Sequence, residues 1–255
     1  MKKDTALTIL LLIFTIGSIP LLPAAGFSAP DNAVDHSIYA DLLKKYIHNS
    51  KVNYQGFKNE EDRLDAYLKI LETTESTALS RNERFAFYIN AYNAWTIKLI
   101  LTAYPGITSI KELGSWLQSP WKKKICRIDG KLLSLDHLEH KILRPIFKDP
   151  RVHFAVNCAS KGCPSLRSEP YTGHMLDRQL DNAAQTFIND PQRNYLKNQT
   201  LFVSKIFTWF AEDFNDDVVG FISKHASEPL KTQLAAQTGN IKVAYLDYDW
   251  SLNGQ

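Results

Sequence analysis

Apolar residues recur at helical spacing along much of the chain. The longest stripe starts after Ser80, continues over residues 85–100 and stops at Pro105-Gly106, a pair typical of a helix end. Ser80 and Glu83 form an S-x-x-E capping box, which is typical of a helix N-terminus. Shorter helical patterns predict helices over residues 36–49, 60–71, 134–143, 173–188, 206–210 and 218–224.

Patterns typical of strands are short and lie between these helices. Asp129-Gly130 joins residues 124–128 to 131–133 and predicts a hairpin, because Asp-Gly supplies the positive φ angles of a tight turn. Residues 151–156 alternate between apolar and other side chains, which predicts a strand. In a regular strand His153 and Cys158 would point to opposite faces. Residues 201–203 and 241–245 predict later strands, so we expect one α+β domain with helices packed on a mainly antiparallel sheet.

The first thirty residues have the composition of a targeting segment. Lys2 and Lys3 give a positive start, residues 5–30 carry no charge, and small residues follow Pro23. This order predicts a secretory signal peptide over residues 1–26, cut after Gly26 or Ala29. An uncleaved membrane anchor is the alternative, because the uncharged run is long enough to cross a bilayer. With cleavage, we expect a periplasmic or secreted protein without a stable membrane anchor.

Composition and charge narrow the classes of partner. Of 255 residues 44% are hydrophobic and 22% charged, as in ordinary globular proteins. Thirty basic residues against 27 acidic ones give a net charge of +3, and the single basic cluster, residues 122–124, does not predict nucleic-acid binding. The chain lacks G-x-G-x-x-G, Walker and C-x-x-C motifs, so no cofactor is predicted. A small-molecule or peptide ligand is the expected partner, and the oligomeric state stays open.

Residues 151–164 combine an imidazole, two thiols and several small residues. Small residues let a ligand approach the backbone closely and can form anion-binding nests. Cys158 and Cys163 could close a disulfide loop in an oxidising compartment, leaving Cys126 unpaired and buried. Alternatively, Cys158 is a reactive thiol whose pKa is lowered by a neighbouring cation or imidazole, or it takes part in a metal site.

Two helices carry further candidate chemistry. His137 and His140 share a helix face and could hold a metal, but the H-E-x-x-H spacing is lacking and no metal is predicted. Glu139 could hydrogen-bond His140 on the same helix. Asn90 and Asn93 interrupt the longest apolar helix, where asparagine is unfavourable. Two buried amides suggest a specific task, such as orienting an imidazole or holding a neighbouring loop; exposure on the polar face is the alternative.

Six segments occur together in a recognisable order: residues 85–94, 120–121, 134–144, 151–164, 204–214 and 248–253. In this order they resemble the bacterial members of domain-of-unknown-function family 547, over residues 35–253. The resemblance implies a single domain, distantly similar to papain- and transglutaminase-like enzymes. It also implies a functional thiol at Cys158, because plant relatives keep the first thiol and vary the second. His137 stands where the family usually has an acidic residue, which argues against an essential role for it.

Two functions of different classes follow. The first is a thiol-dependent hydrolase or acyl transferase acting on an amide or peptide in the cell envelope. Whether the protein is an enzyme therefore stays open. Cys158 would be the nucleophile, His140 or His153 the base, and Glu139 or Asn93 the group orienting the imidazole. The second is a non-catalytic periplasmic ligand-binding module with a structural Cys158/Cys163 loop and a pocket rimmed by tryptophans. The residues predicted to contact ligand are Trp121, Lys161, Asn90 and Ser160, and those predicted to rim the pocket are Trp116, Trp121, Trp209 and Trp250.

Overall fold

The computed structural model describes residues 33–254 of the chain. The predicted signal peptide and its cleavage sites lie outside the described residues. Among residues 33–254, no helix is both long enough and apolar enough to span a bilayer.

The N-terminal half is built from three helices packed around a fourth, buried helix. Ser80 caps that helix, α4, by accepting a hydrogen bond from the backbone N–H of Glu83, as the capping box predicts. Helix α4 is buried along most of its length, so it forms the centre of the larger core. Tyr39 of α1 and Tyr67 of α3 stack beside it with ring centroids 4.6 Å apart. The four helices are α1 (Ser37–Tyr46), α2 (Tyr54–Asn59), α3 (Glu61–Thr73) and α4 (Arg81–Leu101).

The helices after residue 175 contribute to a second, aromatic core, whereas the helix after Ser134 packs into the larger core. Phe154, Phe187, Phe207 and Phe214 are buried in the aromatic core. The helix predicted after Ser134 begins as α5 and continues as a wider π-helix over Leu138–Phe147, with Pro145 inside it. It is therefore longer than predicted. The other helices are α5 (Leu135–His137), α6 (Leu176–Ile188), α7 (Ile206–Trp209), α8 (Val218–His225) and α9 (Leu230–Ala235).

Strands are short and form three separate small sheets. Two are antiparallel hairpins, and the second contains the predicted Asp-Gly turn, with Asp129 and Gly130 both at positive φ. In the third sheet β6 pairs antiparallel with β5 and parallel with β7. The α+β class is confirmed. The strands are β1 (Ile47–His48), β2 (Lys51–Val52), β3 (Cys126–Ile128), β4 (Lys131–Leu133), β5 (Tyr195–Lys197), β6 (Thr200–Val203) and β7 (Lys242–Tyr245).

The predicted strand over residues 151–156 is wrong. Pro150–Phe154 form a 3-10 helix, because the Asp149 side chain accepts from the N–H of Arg151 and Pro150 occupies the first helical turn. Val152 packs into the larger core and Phe154 into the aromatic core, so this turn joins the two. His153 lies between them. The predicted opposition of His153 and Cys158 across a strand therefore does not apply.

Candidate functional site

A cavity of about 280 Å³ lies where the 3-10 helix, the π-helix, α7 and the C-terminal segment meet. We call it the aromatic pocket. Its lining combines aromatic rings, two carboxylates, two imidazoles and both cysteines of residues 158–163. The lining includes Tyr92, Trp121, Asp136, Glu139, His140, His153, Cys158, Cys163, Trp209, Phe210, Tyr248 and Trp250.

Cys158 and Cys163 are joined by a disulfide in one wall of the pocket. The Tyr248 hydroxyl lies 3.3 Å from each sulfur and 3.1 Å from the Ser160 hydroxyl. Burial raises the pKa of Tyr248 to about 12, so its hydroxyl stays protonated at neutral pH. The sequence left open whether Cys158 and Cys163 form a disulfide, and in the structure they do. Cys126 is unpaired and buried, as expected for that alternative.

Buried asparagines hold the disulfide loop. The Asn93 amide donates to the carbonyl of Ala155 at 2.9 Å and accepts from the N–H of Asn157 at 2.8 Å. The Asn157 side chain in turn donates to the carbonyl of Pro164 and accepts from the N–H of Ala159. Each amide therefore satisfies backbone groups that would otherwise be buried without partners. The loop is positioned by α4.

His153 and His140 belong to one charged network. His153 Nε2 lies 2.6 Å from Asp213 Oδ2, and Arg144 Nε lies 2.5 Å from the same oxygen. Burial raises the pKa of Asp213, but the hydrogen bonds from His153 and Arg144 outweigh it and hold that pKa well below its usual value. Arg144 also donates to His140 Nδ1 at 3.0 Å and to the Glu212 carboxylate.

This network fixes which nitrogen of each imidazole can accept a proton. An arginine only donates, so its bond to His140 Nδ1 requires the lone pair there and places the His140 proton on Nε2. Asp213 accepts the Nε2–H of His153, which leaves Nδ1 as that ring's basic nitrogen. The His153 ring stacks on Phe210, with centroids 4.0 Å apart, and is almost completely buried. His153 is thus the better placed of the two as a base.

Glu139 interacts with a tyrosine instead of a histidine. Its carboxylate pairs with the Tyr92 hydroxyl on α4; burial first, and this carboxylate second, raise the pKa of Tyr92 well above its usual value. Asp136, one turn earlier, lines the same pocket. The two carboxylates give this end of the pocket negative charge.

Aromatic rings also line the pocket. Tyr248, Trp209 and Trp250 form a cluster in which the Tyr248 ring centroid lies 4.7 Å from Trp209 and 4.6 Å from Trp250, and the two tryptophans lie 5.6 Å apart. Trp121 packs edge-on against Trp250 at 5.7 Å. The ammonium of Lys111 lies 4.0 Å from the centroid of Trp250, so this ring already carries one cation–π contact.

Of the nine residues predicted to act in catalysis or to contact ligand, five line this pocket and four do not: Asn90, Asn93, Lys161 and Ser160. Asn90 donates to the carbonyl of Tyr171 and lies 3.3 Å from His36, and it is not among the lining residues. Lys161 lines two other clefts, one of which it shares with Ser160, and the Ser160 hydroxyl also contacts Cys158 Sγ at 3.2 Å. Trp116, predicted at the rim, is 92% exposed and is not among the lining residues. The five in the pocket are Cys158, His140, His153, Glu139 and Trp121.

Three groups that shape the site have no recognisable role in the sequence pattern. Tyr248 appeared there only within a family motif, although its hydroxyl contacts both sulfurs. Asp213 was noted in the same way and binds His153. Tyr92 was read as part of an apolar stripe. Pairing across more than forty residues gives no local signal, so none of these contacts could be read from spacing. Within residues 33–254 no cluster of three or more His, Cys, Asp or Glu side chains could hold a metal ion.

Residues 76–188 match the model of the family described as "Protein of unknown function, DUF547". The match includes α4, the π-helix and the disulfide loop, and it confirms the predicted resemblance over this segment. No curated protein and no solved structure matches the chain.

Proposed function

We propose that this chain is a ligand-binding protein whose aromatic pocket takes a small positively charged group, either free or on a peptide. One observation carries the proposal: aromatic faces and two carboxylates line the same cavity, while its sulfurs are joined to each other. Its imidazoles are already hydrogen-bonded to Asp213 and Arg144. Glu139 accepts a hydrogen bond from Tyr92 but keeps its second oxygen and its charge, so the groups that can attract a ligand are the rings and the carboxylates.

The charge balance around the pocket favours a cation. The guanidinium of Arg144 is offset by Glu212 and Asp213, so it adds no net positive charge. Asp136 and Glu139 have no such offset among the lining residues. A cation over a tryptophan face gains about 0.5–2 kcal/mol, more when water is excluded, and nearby carboxylates add to this. The Lys111 ammonium over Trp250 shows that the geometry is attainable here.

A matched pair of probes tests this proposal. Choline and 3,3-dimethyl-1-butanol have nearly the same shape, but only choline carries a charge. We expect saturable binding of choline by calorimetry, at least tenfold tighter than that of the neutral alcohol. Trp209→Ala and Glu139→Gln should each weaken choline binding, whereas Asp62→Asn, at an exposed acidic position, should not. Equal binding of the two probes, or saturation by neither, would refute the proposal.

The second candidate function is a thiol-dependent hydrolase or acyl transferase acting on an amide or peptide. It is favoured because Cys158 shares the pocket with His153, whose Nδ1 is its basic nitrogen. The reaction first needs a thiol reductant to open the disulfide. The Cys158 thiolate would then attack the carbonyl, the amine would leave with a proton from the imidazole, and water or an acyl acceptor would release the acyl group.

Alkylation of the reduced protein tests this second candidate. Iodoacetamide should label Cys158 with a pH midpoint well below the free-thiol value of about 8.5. Cys126 is an internal control, because burial raises its pKa to about 12 and should protect it while the protein is folded. A Cys158 midpoint at or above the free-thiol value would eliminate a catalytic thiol without affecting the choline result.

We also propose that the protein is exported to the periplasm or beyond. The N-terminal pattern of residues 1–30 supports this, and so does the disulfide, because disulfides persist in oxidising compartments. N-terminal sequencing of the protein from a periplasmic fraction should begin at Phe27 or Pro30. An intact N-terminus in the membrane fraction would instead support the uncleaved anchor.

A further inference from the structure

The most exposed large apolar side chains of residues 33–254 are neighbours on one turn. Trp116 is 92% exposed and Leu117 is 75% exposed. They occupy the tip of a turn closed by two backbone bonds between Ser115 and Gln118. The Ser115 hydroxyl also accepts from the N–H groups of Leu117 and Gln118. The tip therefore has a defined conformation and holds both side chains in solvent.

The base of this turn is fixed to the larger core. Ile110 and Leu113 before the turn and Pro120 after it are buried. Gly114 packs so closely on Pro120 that a Cβ at this position would lie 2.8 Å from the proline ring. The fixed base of the turn therefore keeps the tip in solvent. Exposed apolar side chains of this kind usually mark a contact surface.

Positive charge surrounds this tip. Lys111 precedes it, and Lys122, Lys123 and Lys124 follow it, against one carboxylate, Glu112. That carboxylate is engaged by the backbone and hydroxyl of Thr108. Within residues 33–254, none of the four lysines forms a salt bridge with an acidic side chain. The tip thus combines two exposed apolar side chains with flanking positive charge.

We infer that the turn of residues 114–124 docks the protein onto an anionic lipid surface. Trp116 and Leu117 would enter the boundary between headgroups and acyl chains, where tryptophan is enriched, and the lysines of residues 122–124 would lie against lipid phosphates. A protein partner fits less well, because two side chains cannot bury the roughly 1,000 Å² of a specific protein interface. Trp121 follows the same turn and lines the aromatic pocket, so docking places the pocket beside the membrane. This inference is independent of the ligand proposed for that pocket.

Tryptophan quenching by brominated lipids tests the docking on the whole chain. All five tryptophans lie at or after residue 95, so the apolar run of residues 5–30 contributes no fluorescence. We expect quenching on vesicles of brominated phosphatidylcholine with phosphatidylglycerol, and little on vesicles of brominated phosphatidylcholine alone. Added salt should release the quenching, because surface electrostatics are screened. Trp116→Phe should remove most of the quenching while vesicle flotation persists.

Variants separate the apolar and the electrostatic contributions. Trp116→Ser with Leu117→Ser should lower vesicle affinity about tenfold or more. Lys122→Gln with Lys124→Gln should lower it about 30-fold, at about fivefold for each lysine. Ile146→Ser, which removes a 44%-exposed apolar side chain from the π-helix, is the matched control and should change nothing. Any of three results would overturn the inference. The double Ser variant could show wild-type quenching, the protein could bind neutral and anionic vesicles equally, or light scattering could show self-association through the tip.

Discussion

Replacing Asn93 with alanine tests how the disulfide wall of the pocket is held. The Asn93 side chain is 2% exposed and makes two hydrogen bonds to the backbone of residues 155 and 157. Removing it leaves one carbonyl and one N–H buried without partners. Each such group costs about 1–3 kcal/mol, so the free energy of unfolding should fall by about 2–6 kcal/mol.

Asn82 supplies the matched control for this experiment. It lies on the same helix, α4, but it is exposed. Asn82→Ala therefore makes the same chemical change and the same gain in helix propensity without losing a buried partner. Its effect should lie within about 0.5 kcal/mol of zero.

The free energy of unfolding of both variants can be measured by urea titration monitored by circular dichroism, with the disulfide kept oxidised. We expect Asn93→Ala to lower the midpoint strongly with an unchanged slope. If the two variants differ by less than about 1 kcal/mol, Asn93 does not support the loop as argued. A folded Asn93→Ala protein should also bind choline more weakly, because the pocket wall carrying Cys158 is no longer held.

Three further outcomes are expected. Burial lowers the pKa of His36 to about 4, so between about pH 6.5 and 4 the unfolded chain binds a proton that the folded chain does not. The free energy of unfolding should therefore fall by about 3 kcal/mol on acidification over this range. Urea unfolding at both pH values should show this fall, and His36→Gln should reduce it. Thiol titration of the denatured, unreduced chain should find one thiol, Cys126, and three after reduction; three before reduction would contradict the disulfide. Gly162→Ala should weaken choline binding, because the new Cβ would lie 2.8 Å from the Tyr248 ring. Gly239→Ala is the control and should not weaken it, because the space around Gly239 is open. Equal choline binding by the two variants would argue against the contact between Gly162 and Tyr248.

The helices could be predicted because their signals are local. Ser80 and Ser134 cap helices where the sequence indicated, since a hydroxyl followed by a helical stripe is enough to begin one. Residues 151–156 were misread because an alternating pattern over so few residues also fits a 3-10 turn, and the capping by Asp149 decided between them. Of the two alternatives left open for Asn90 and Asn93, burial is the one found, and Asn93 holds a neighbouring loop, one of the two tasks suggested for a buried amide.

The site was harder to predict because its contacts join distant parts of the chain. The sequence indicated Cys158 and the two histidines, and they do share a pocket. It left open whether Cys158 was a thiol or a disulfide. It also could not show that Asp213, sixty residues after His153, would bind that ring.

The sequence by itself determined the helices, the hairpin, the ordinary charge balance and which segment carries unusual chemistry. These properties depend on side-chain periodicity, caps and turn residues within a few positions of one another. Only the tertiary structure decided that Tyr248 meets the disulfide, that Arg144 dictates the proton position on His140, and that Trp116 is left in solvent. Those outcomes depend on how two cores pack around one short turn, and packing of that kind is set by contacts between residues far apart in the chain.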